Sequence, residues 1–216
     1  MDAILLVGGF GTRLLPLTKS VPKPLIPLVN VPFLERTIGW LGAHGIDHVV
    51  MSLHYSAELF IDYFRNHASG VDISFAVEDE PLGTGGAIKN CDPYLRSPRC
   101  FVCNGDIFTT LPLREMLDDH GRVGAAVSIA LKEVEDPSRY GVIETNPEGR
   151  ILTFTEKPTR EEARSRDINA GIYIFNREVL AHFPAGACSV ERQVFPDLLA
   201  RGMHLHGFRG PCYWTD

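Results

Sequence analysis

The sequence lacks the features that would take a protein into a membrane, onto nucleic acid or out of the cell. None of its apolar runs is long enough to span a bilayer, and the first run begins at residue 3, so we expect no signal peptide. With 21 basic and 27 acidic residues, the net charge of −6 argues against a nucleic-acid partner. The five cysteines form no regular framework, as is usual in a reducing compartment. We therefore expect a cytoplasmic protein with neither a membrane nor a nucleic-acid partner.

Two short motifs have the spacing of metal or redox sites, but their surroundings favour packing. Cys100 and Cys103 have C-x-x-C spacing inside an apolar stretch. Residues three apart in a strand point to opposite faces, so buried structural thiols are favoured over a zinc or redox site. His204 and His206 fall on one face of a strand with no third ligand near them in the sequence. We expect these histidines to be packed or solvated.

The chain has the size and the pattern of an α/β domain. Its 216 residues, 44% of them apolar, are enough for one substantial core. Strands alternate with helical stripes in the first half, which indicates βαβ units and a doubly wound, mostly parallel sheet between two helical layers. An antiparallel pair in the second half makes the sheet mixed. The predicted strands are 3–7, 48–52, 71–77, 100–103, 125–131, 140–144 and 151–156, and the predicted helices are 33–44, 57–67 and 189–199, the last with a capping serine.

A glycine-rich turn directly after the first strand is the strongest local signal. Gly8, Gly9 and Gly11 let the backbone approach a ligand and leave amide groups free for phosphate oxygens. Arg13 and Lys23 supply positive charge nearby, which favours a polyphosphate, although an ordinary strand-to-helix turn also uses glycines. A P-loop is excluded because no lysine follows at its spacing, and a dinucleotide fingerprint because its third glycine is missing. Lys23 lies between two prolines, which predicts a stiff surface loop.

Two further strand ends carry groups suited to a nucleotide and its metal ion. A second glycine-rich turn follows Glu78 and passes through Gly83 into a helix, and ligands in open α/β sheets bind at such strand ends. Asn104-Gly105-Asp106 ends another strand and places a carboxylate where Mg²⁺ can bind. The alternatives are a solvated acidic turn at Glu78 and an Asx turn at Asp106.

Together these motifs resemble those of the sugar-1-phosphate nucleotidylyltransferase family, the NDP-sugar pyrophosphorylases. The resemblance runs along the chain through G-G-x-G-T-R-L…P-K-P-L, E-P-L-G-T-G-G, N-G-D, E-K-P, N-A-G-I-Y and W-x-D. The stretch from Ser189 to Leu199 is similar to the S-x-E…F-P-x-L segment of mannose-1-phosphate guanylyltransferases. The resemblance implies the Rossmann-like three-layer α/β/α nucleotide-diphospho-sugar transferase fold, with residues 1–216 as one nucleotidyltransferase domain.

For residues 1–112, the resemblance implies a nucleotide-binding half. There, Arg13 would neutralise the β- and γ-phosphates and Lys23 would lie on the α-phosphate, both as catalytic residues. Glu78 would accept the N1–H and N2–H groups of guanine, or the N3–H group of a pyrimidine. The implied nucleotide-binding set is Leu6, Val7, Gly8, Gly9, Gly11, Thr12, Glu78, Leu82, Gly83 and Thr84.

For residues 113–216, the resemblance implies a half that binds the sugar phosphate. Lys157 would hold the phosphate as a further catalytic residue, and Glu156 and Asn169 would bind sugar hydroxyls. The implied sugar-phosphate set is Gly141, Glu156, Lys157, Asn169 and Gly171. Mg²⁺ would lie on Asp106, which is also catalytic, and on Asp216 of the W-x-D motif. The family pattern normally continues beyond this last aspartate.

The implied reaction transfers a nucleotidyl group from an NTP to a sugar 1-phosphate and releases pyrophosphate. GTP and mannose 1-phosphate are the favoured substrates. The alternatives are guanylyl or uridylyl transfer to a heptose, glucose or amino-sugar phosphate, and a non-catalytic regulatory subunit that binds a sugar nucleotide. Cytidylyl transfer to an alcohol phosphate such as phosphocholine is disfavoured by the sugar-site motifs. We expect no hexapeptide β-helix domain, and a homo-oligomer stays open because no sequence feature fixes an interface.

Overall fold

The computed structural model of the protein describes residues 1–9, 21–67 and 69–216. In these ranges, nine strands form one mixed sheet with helices on both of its faces. They are β1 (Asp2–Leu6), β4 (His48–Leu53), β5 (Asp72–Val77), β6 (Arg99–Asn104), β8 (Val127–Glu133), β9 (Gly141–Thr145), β10 (Ile151–Glu156), β11 (Asp167–Asn176) and β12 (Leu205–Phe208). Two-residue ribbons are formed by β2 (Pro27–Leu28) with β3 (Val31–Pro32) and by β7 (Phe108–Thr109) with β13 (Trp214–Thr215). The helices are α1 (Phe33–Ala43), α2 (Ala57–Asn66), α3 (Gly83–Asn90), α4 (Leu113–Val123) and α5 (Phe195–Ala200).

The parallel strands bring their carboxyl ends to one edge of the sheet. β1 lies between β4 and β6 and pairs in parallel with both, and β5 extends the parallel set beyond β4. At the end of β1, Leu6 is level with Ser52 of β4 and Asn104 of β6. Antiparallel β11 follows β6 and joins the strands of the second half to the sheet. The predicted α/β class and the mixed sheet are confirmed.

Alternate residues of the central strands pack on opposite faces, as the two-residue period of a strand requires. In β1, Leu5 belongs to the core formed with α1, α2 and α4, while Ile4 belongs to the core formed with α3 and α5. In β6, Cys103 belongs to the first of these cores and Cys100 to the second, which confirms that the two thiols are buried and separated. Burial raises the pKa of each thiol to about 12, so both are inert at neutral pH.

Strand β11 contains a glycine bulge. Its register against β8 shifts between Asn169 and Tyr173. On its other edge, β11 pairs with β9 before the bulge and with β6 from Ile172 onward. Gly171 has a φ of 70°, and a Cβ at this position would lie 2.4 Å from Ile107 Cδ1 and 2.6 Å from Asn104 Nδ2. Both its backbone conformation and the close approach to the end of β6 therefore require glycine.

The predicted helix over 189–199 is wrong in its first turn. Val190–Val194 forms a π-helical turn, and α5 begins at Phe195. Ser189 caps this turn as predicted, and Gln193 Oε1 accepts the Ser189 N–H at 2.8 Å. The glutamine reaches back from one position later than in an α-helical capping box, because a π-turn bonds residues five apart.

The two ribbons were not predicted, because strands this short leave no period in a sequence. The β2–β3 ribbon lies in the predicted proline-rich loop, where Lys23–Leu25 forms a 3₁₀ turn. The β7–β13 ribbon pairs Thr215 with Phe108. This pairing brings the last residue, Asp216, to the loop that follows β6.

The longest helices of the described ranges, α1 and α4, contain 11 residues each. A helix needs about 20 residues to cross a bilayer. None of the described helices therefore qualifies as a membrane span.

A buried carboxylate connects the amino ends of the central strands. Asp2 of β1 is 1% exposed and is hydrogen-bonded to Nδ1 of His48 in β4 at 3.0 Å. It also accepts the backbone N–H groups of Arg96 and Ser97, each at 2.6 Å. Burial by itself would raise the pKa of Asp2, but the donors outweigh burial and hold the pKa below its ordinary value. Asp2 therefore stabilises the fold in its ionised form.

We expect Asp2→Ala to lower the free energy of unfolding near neutral pH by about 3 kcal/mol, because two part-buried backbone N–H groups and the buried His48 lose their acceptor. In the wild type this stabilisation is present above the unfolded-state pKa of about 3.8 and is lost as pH falls through the lower folded-state value. Urea unfolding across this pH range measures both effects.

The matched control is Asp47→Ala, which removes a carboxylate that is 79% exposed and pairs with the N-terminus. It should cost less than about 1 kcal/mol. Equal losses in the two variants would contradict the role assigned to Asp2.

Candidate active site

The carboxyl ends of β1, β4, β5 and β6 surround a cleft of about 750 Å³, here called the first cleft. The predicted nucleotide-side residues that line it are Leu6, Val7, Gly8, Gly9, Lys23, Glu78, Gly83 and Thr84. Leu82 is not among the lining residues, and Gly11, Thr12 and Arg13 lie outside the described residues. The structure therefore brings together most of the predicted set, drawn from the ends of β1 and β5, the start of α3 and the loop of Lys23.

Glu78 is buried in the wall of the first cleft, with a protein donor on each carboxylate oxygen. Oε1 accepts the Ser52 hydroxyl at 2.7 Å, and Oε2 accepts the Leu82 N–H at 3.0 Å. With 8% exposure, Glu78 is not the solvated acidic turn that the sequence left open. The carboxylate fixes the turn at Leu82, and each oxygen keeps a lone pair for a further donor.

The glycines of the second turn pack against the segment before the π-turn. Gly83 has a φ of 66°, and a Cβ there would lie 2.7 Å from the Cys188 carbonyl oxygen. The N–H groups of Gly85 and Gly86 donate to the same oxygen at 2.8 and 3.3 Å. These two amides are therefore bound to protein, and Gly83 and Thr84 supply the surface of the turn that faces the cleft.

A second cleft, of about 620 Å³, is bounded by β9, β10, β11 and the π-turn. Its lining includes all five predicted sugar-phosphate residues, which are Gly141, Glu156, Lys157, Asn169 and Gly171. A Cβ at Gly141 would lie 2.6 Å from Phe154 Cζ and 2.9 Å from Glu156 Oε2. Lys157 has a φ of 48°, which is uncommon for a residue other than glycine. Its Nζ lies 3.8 Å from Glu156 Oε1.

Asn169 lines the second cleft, but its amide also holds the β11 bulge. Its Nδ2 donates to the Tyr173 hydroxyl at 2.8 Å, and its Oδ1 accepts the Gly171 N–H at 2.9 Å. One N–H and one lone pair are left for a ligand. Asn169 thus has a structural role that the sequence did not indicate, beside the predicted one.

Three residues line both clefts, namely Asn104, Asp106 and Asp216. Lys23 Nζ forms an ion pair with Asp106 Oδ2 at 2.8 Å, with side-chain exposures of 29% and 35%. Trp214 Nε1 donates to the Ala170 carbonyl oxygen at 2.9 Å and anchors β13 beside the second cleft. The two predicted metal ligands therefore lie where the clefts meet.

The donor set at this junction fits a hard divalent cation. Within residues 1–9, 21–67 and 69–216, no group of three His, Cys, Asp or Glu side chains forms a ready metal site. Asp106 and Asp216 offer carboxylate oxygens, and Mg²⁺ is commonly held by one or two carboxylates together with substrate phosphates. The residues present suit Mg²⁺ that arrives with a nucleotide.

Glu156 is the titratable group of the second cleft with a clear shift. Burial raises its pKa above the ordinary value, and the negative charge of Glu191 adds to this effect. The positive charges of Lys157 and Arg192 oppose the shift without cancelling it. The ionised form of Glu156 is therefore disfavoured until a ligand donates hydrogen bonds to its carboxylate.

Several lining residues were not singled out from the sequence as site residues, notably Ser52, Asn104, Arg139 and Glu191. Ser52 is a polar residue near the end of an apolar strand, and Asn104 directly precedes the predicted Gly105-Asp106 pair, so both left a signal. Glu191 lies within the S-x-E motif. Arg139 lies in a loop before β9, where nothing in the sequence marks it.

The family model described as nucleotidyl transferase matches residues 2–216, and the chain belongs to this family. Mannose-1-phosphate guanylyltransferase of Mycobacterium tuberculosis is 41% identical to the chain, over 100% of the chain and 60% of the relative. Mannose-1-phosphate guanylyltransferase 1 of Arabidopsis thaliana is 37% identical, over 100% of the chain and 61% of the relative. The chain thus spans about 60% of the length of these curated relatives.

Solved structures agree with this assignment. HddC from Yersinia pseudotuberculosis, complexed with GMP-PN, has a TM-score of 0.84 and 29% identity, over 100% of the chain and 92% of HddC. A putative glucose-1-phosphate thymidylyltransferase from Bacillus anthracis has a TM-score of 0.87 at 24% identity, over 100% of the chain and 89% of its own, and shows the fold alone. The family resemblance and the fold predicted from the motifs are confirmed.

We expect Glu156→Gln to melt at a higher temperature than the wild type at neutral and mildly alkaline pH, because the variant avoids a buried charge. For an acid whose folded-state pKa is raised, the destabilisation is absent below the unfolded-state pKa and complete above the folded-state pKa. The advantage of Glu156→Gln should therefore shrink toward about pH 4, and thermal melts at several pH values measure it. Glu148→Gln, which removes an exposed carboxylate from the turn of the same hairpin, is the control. Melting differences that do not vary with pH would contradict the raised pKa.

Proposed function

We propose that the protein transfers a guanylyl group from GTP to mannose 1-phosphate, forming GDP-mannose and pyrophosphate. One observation carries this proposal: two clefts of substrate size meet at Asp106 and Asp216, with Lys23 paired to Asp106 at the junction. The choice of substrates is supported by the names of the relatives, which are mannose-1-phosphate guanylyltransferases. HddC, solved with GMP-PN, supports a guanine nucleotide.

The linings of the two clefts support a division of labour along the chain. Apart from Asp216, the first cleft is lined by residues up to Asp106, while most residues of the second cleft follow Pro137. We assign residues 1–112 mainly to the nucleotide and residues 113–216 mainly to the sugar phosphate. All five cysteines are free thiols, and on this pattern we assign the activity to the cytoplasm.

The main task of the protein in this reaction is to offset the negative charge of the reacting phosphates. A phosphate oxygen of the sugar 1-phosphate attacks the α-phosphorus of GTP in line and pyrophosphate leaves, so two anions must approach each other. Lys157 holds the sugar phosphate at the junction. Lys23 leaves its ion pair with Asp106 and binds the α-phosphate, where negative charge grows in the transition state. Arg13 and the amides of 8–12 act on the β- and γ-phosphates.

Asp106 and Asp216 would hold Mg²⁺ at the junction. When bound, Mg²⁺ neutralises charge on the reacting phosphates and aligns them. The Lys23–Asp106 pair is partly exposed, and such pairs contribute less than about 1 kcal/mol. Breaking this ion pair therefore costs less free energy than Lys23 and Asp106 gain from their charge-assisted contacts with the substrate and its metal ion.

We expect Lys23→Ala and Asp106→Ala each to lower kcat by at least about a hundredfold, since each removes stabilisation made in the transition state. Pyrophosphate release by the folded variants, with saturating GTP, mannose 1-phosphate and Mg²⁺, is the measurement. Asp118→Ala, which removes an exposed carboxylate from α4, is the control and should turn over like the wild type. Near-wild-type turnover of either site variant would overturn its assignment.

The substrates are tested by pyrophosphate release with four NTPs against mannose, glucose, heptose and amino-sugar 1-phosphates. We expect GTP with mannose 1-phosphate to give the highest kcat/KM, and chelation of Mg²⁺ to abolish turnover. A higher kcat/KM for another pair would replace the proposed substrates. Tight GDP-mannose binding without turnover of any pair would favour a regulatory subunit instead.

A further inference from the structure

The second cleft contains a carboxylate that the E-K-P and N-A-G-I-Y motifs do not include. Glu191 lines this cleft and belongs to the π-turn Val190–Val194. Isolated π-turns are rare and are found frequently at functional sites, because they redirect one side chain without ending the helix. The turn joins α5 to the segment that packs on the second glycine turn through the Cys188 carbonyl oxygen.

Glu191 is held by hydroxyl groups from two parts of the chain. Its Oε2 accepts the Thr84 hydroxyl at 2.7 Å and the Ser189 hydroxyl at 2.7 Å. Thr84 Oγ1 in turn accepts the Val190 N–H at 2.9 Å. Thr84 lines the first cleft, so one hydrogen bond links the wall of the first cleft to a carboxylate of the second.

The other oxygen of Glu191 is available to a ligand. Among the described residues, no donor is hydrogen-bonded to Oε1, although the side chain is half-buried and lines the second cleft. Two bonds on Oε2 limit rotation of the carboxylate, so Oε1 has a fixed position before a ligand arrives. A fixed acceptor costs less side-chain entropy on binding than a mobile one.

The charges indicate what kind of group this oxygen suits. Glu191 and Glu156 line the same cleft and repel each other, so a phosphate placed between them would be repelled by both. A sugar hydroxyl is neutral and donates a hydrogen bond, which a carboxylate accepts strongly. The pair therefore fits the hydroxyl-bearing part of a sugar, with its phosphate directed elsewhere.

We propose that Glu191 is a specificity-determining residue whose Oε1 accepts a hydrogen bond from one hydroxyl of the sugar, in an orientation fixed by Thr84 and Ser189. The inference rests on the proposed function, since it names a hydroxyl contact in the sugar cleft of that reaction. A site built to bind a hydroxyl discriminates against the analogue that lacks it. For one charged acceptor the expected discrimination is about 10- to 100-fold in kcat/KM.

The test compares mannose 1-phosphate with its monodeoxy analogues, each lacking one hydroxyl, in the wild type and in Glu191→Ala. We expect the wild type to prefer mannose 1-phosphate over one particular analogue by about 10- to 100-fold, and Glu191→Ala to lose the preference at this position alone. Discrimination against the other analogues should persist, because Glu156 and Asn169 are unchanged.

Asp197→Ala is the matched control. It removes an exposed carboxylate of α5 that pairs with Arg201, and it leaves Glu191 and both of its hydroxyl donors in place. It should keep the preference that Glu191→Ala loses. If Glu191→Ala keeps every preference of the wild type, or weakens all of them equally as a merely structural change would, the proposal is overturned.

Failure of the proposed function is distinguishable from failure of this inference. If the wild type prefers another hexose 1-phosphate, the proposed substrate is wrong, and the deoxy series of that hexose decides the role of Glu191. If no pair is turned over, calorimetric binding of the same series to both proteins, with a non-hydrolysable GTP analogue present, gives the position-specific comparison. Uniform binding of all analogues by the wild type would overturn the proposal.

Discussion

Both clefts depend on the way β6 ends between its two neighbours. Gly105 donates its N–H to the Leu6 carbonyl oxygen at 2.9 Å, and a Cβ there would lie 2.2 Å from Val7 Cγ1. On the other side, Gly171 lets β11 close on Asn104. Two glycines therefore allow three backbone segments to meet at a spacing that any side chain would prevent. Asp106 follows directly and projects into the space where the clefts join.

The central strands and the residues at their carboxyl ends were predictable from the sequence. Continuous apolar runs predicted β1 and β6, and the rule that ligands bind at the carboxyl ends of parallel strands placed Gly8, Glu78 and Asp106 near one another. The separation of Cys100 from Cys103 followed from the two-residue period of a strand. No tertiary contact was needed for any of these inferences, because each depends on local geometry and on one topological rule.

The features that depend on partners distant in the chain were not predictable. The second glycine-rich turn was predicted to face the ligand, but the amides of Gly85 and Gly86 donate to the carbonyl oxygen of Cys188, about a hundred residues later. A sequence does not say whether a glycine serves a ligand or a close protein contact. The π-turn is a similar case, because Val190–Val194 has the same apolar spacing as the first turn of an α-helix.

The net negative charge of the second cleft limits which ligands it can bind. Among the described residues that line it, four carry carboxylates and two carry positive charge, Arg139 and Lys157. A sugar 1-phosphate carries nearly two negative charges at neutral pH. The cleft would repel such a ligand unless Asp106 and Asp216 were neutralised by a divalent cation and Glu156 and Glu191 were occupied by hydroxyl donors. In the proposed reaction the metal ion, the phosphate and the sugar hydroxyls would therefore each depend on the others, since no one of them alone balances the charge of the cleft.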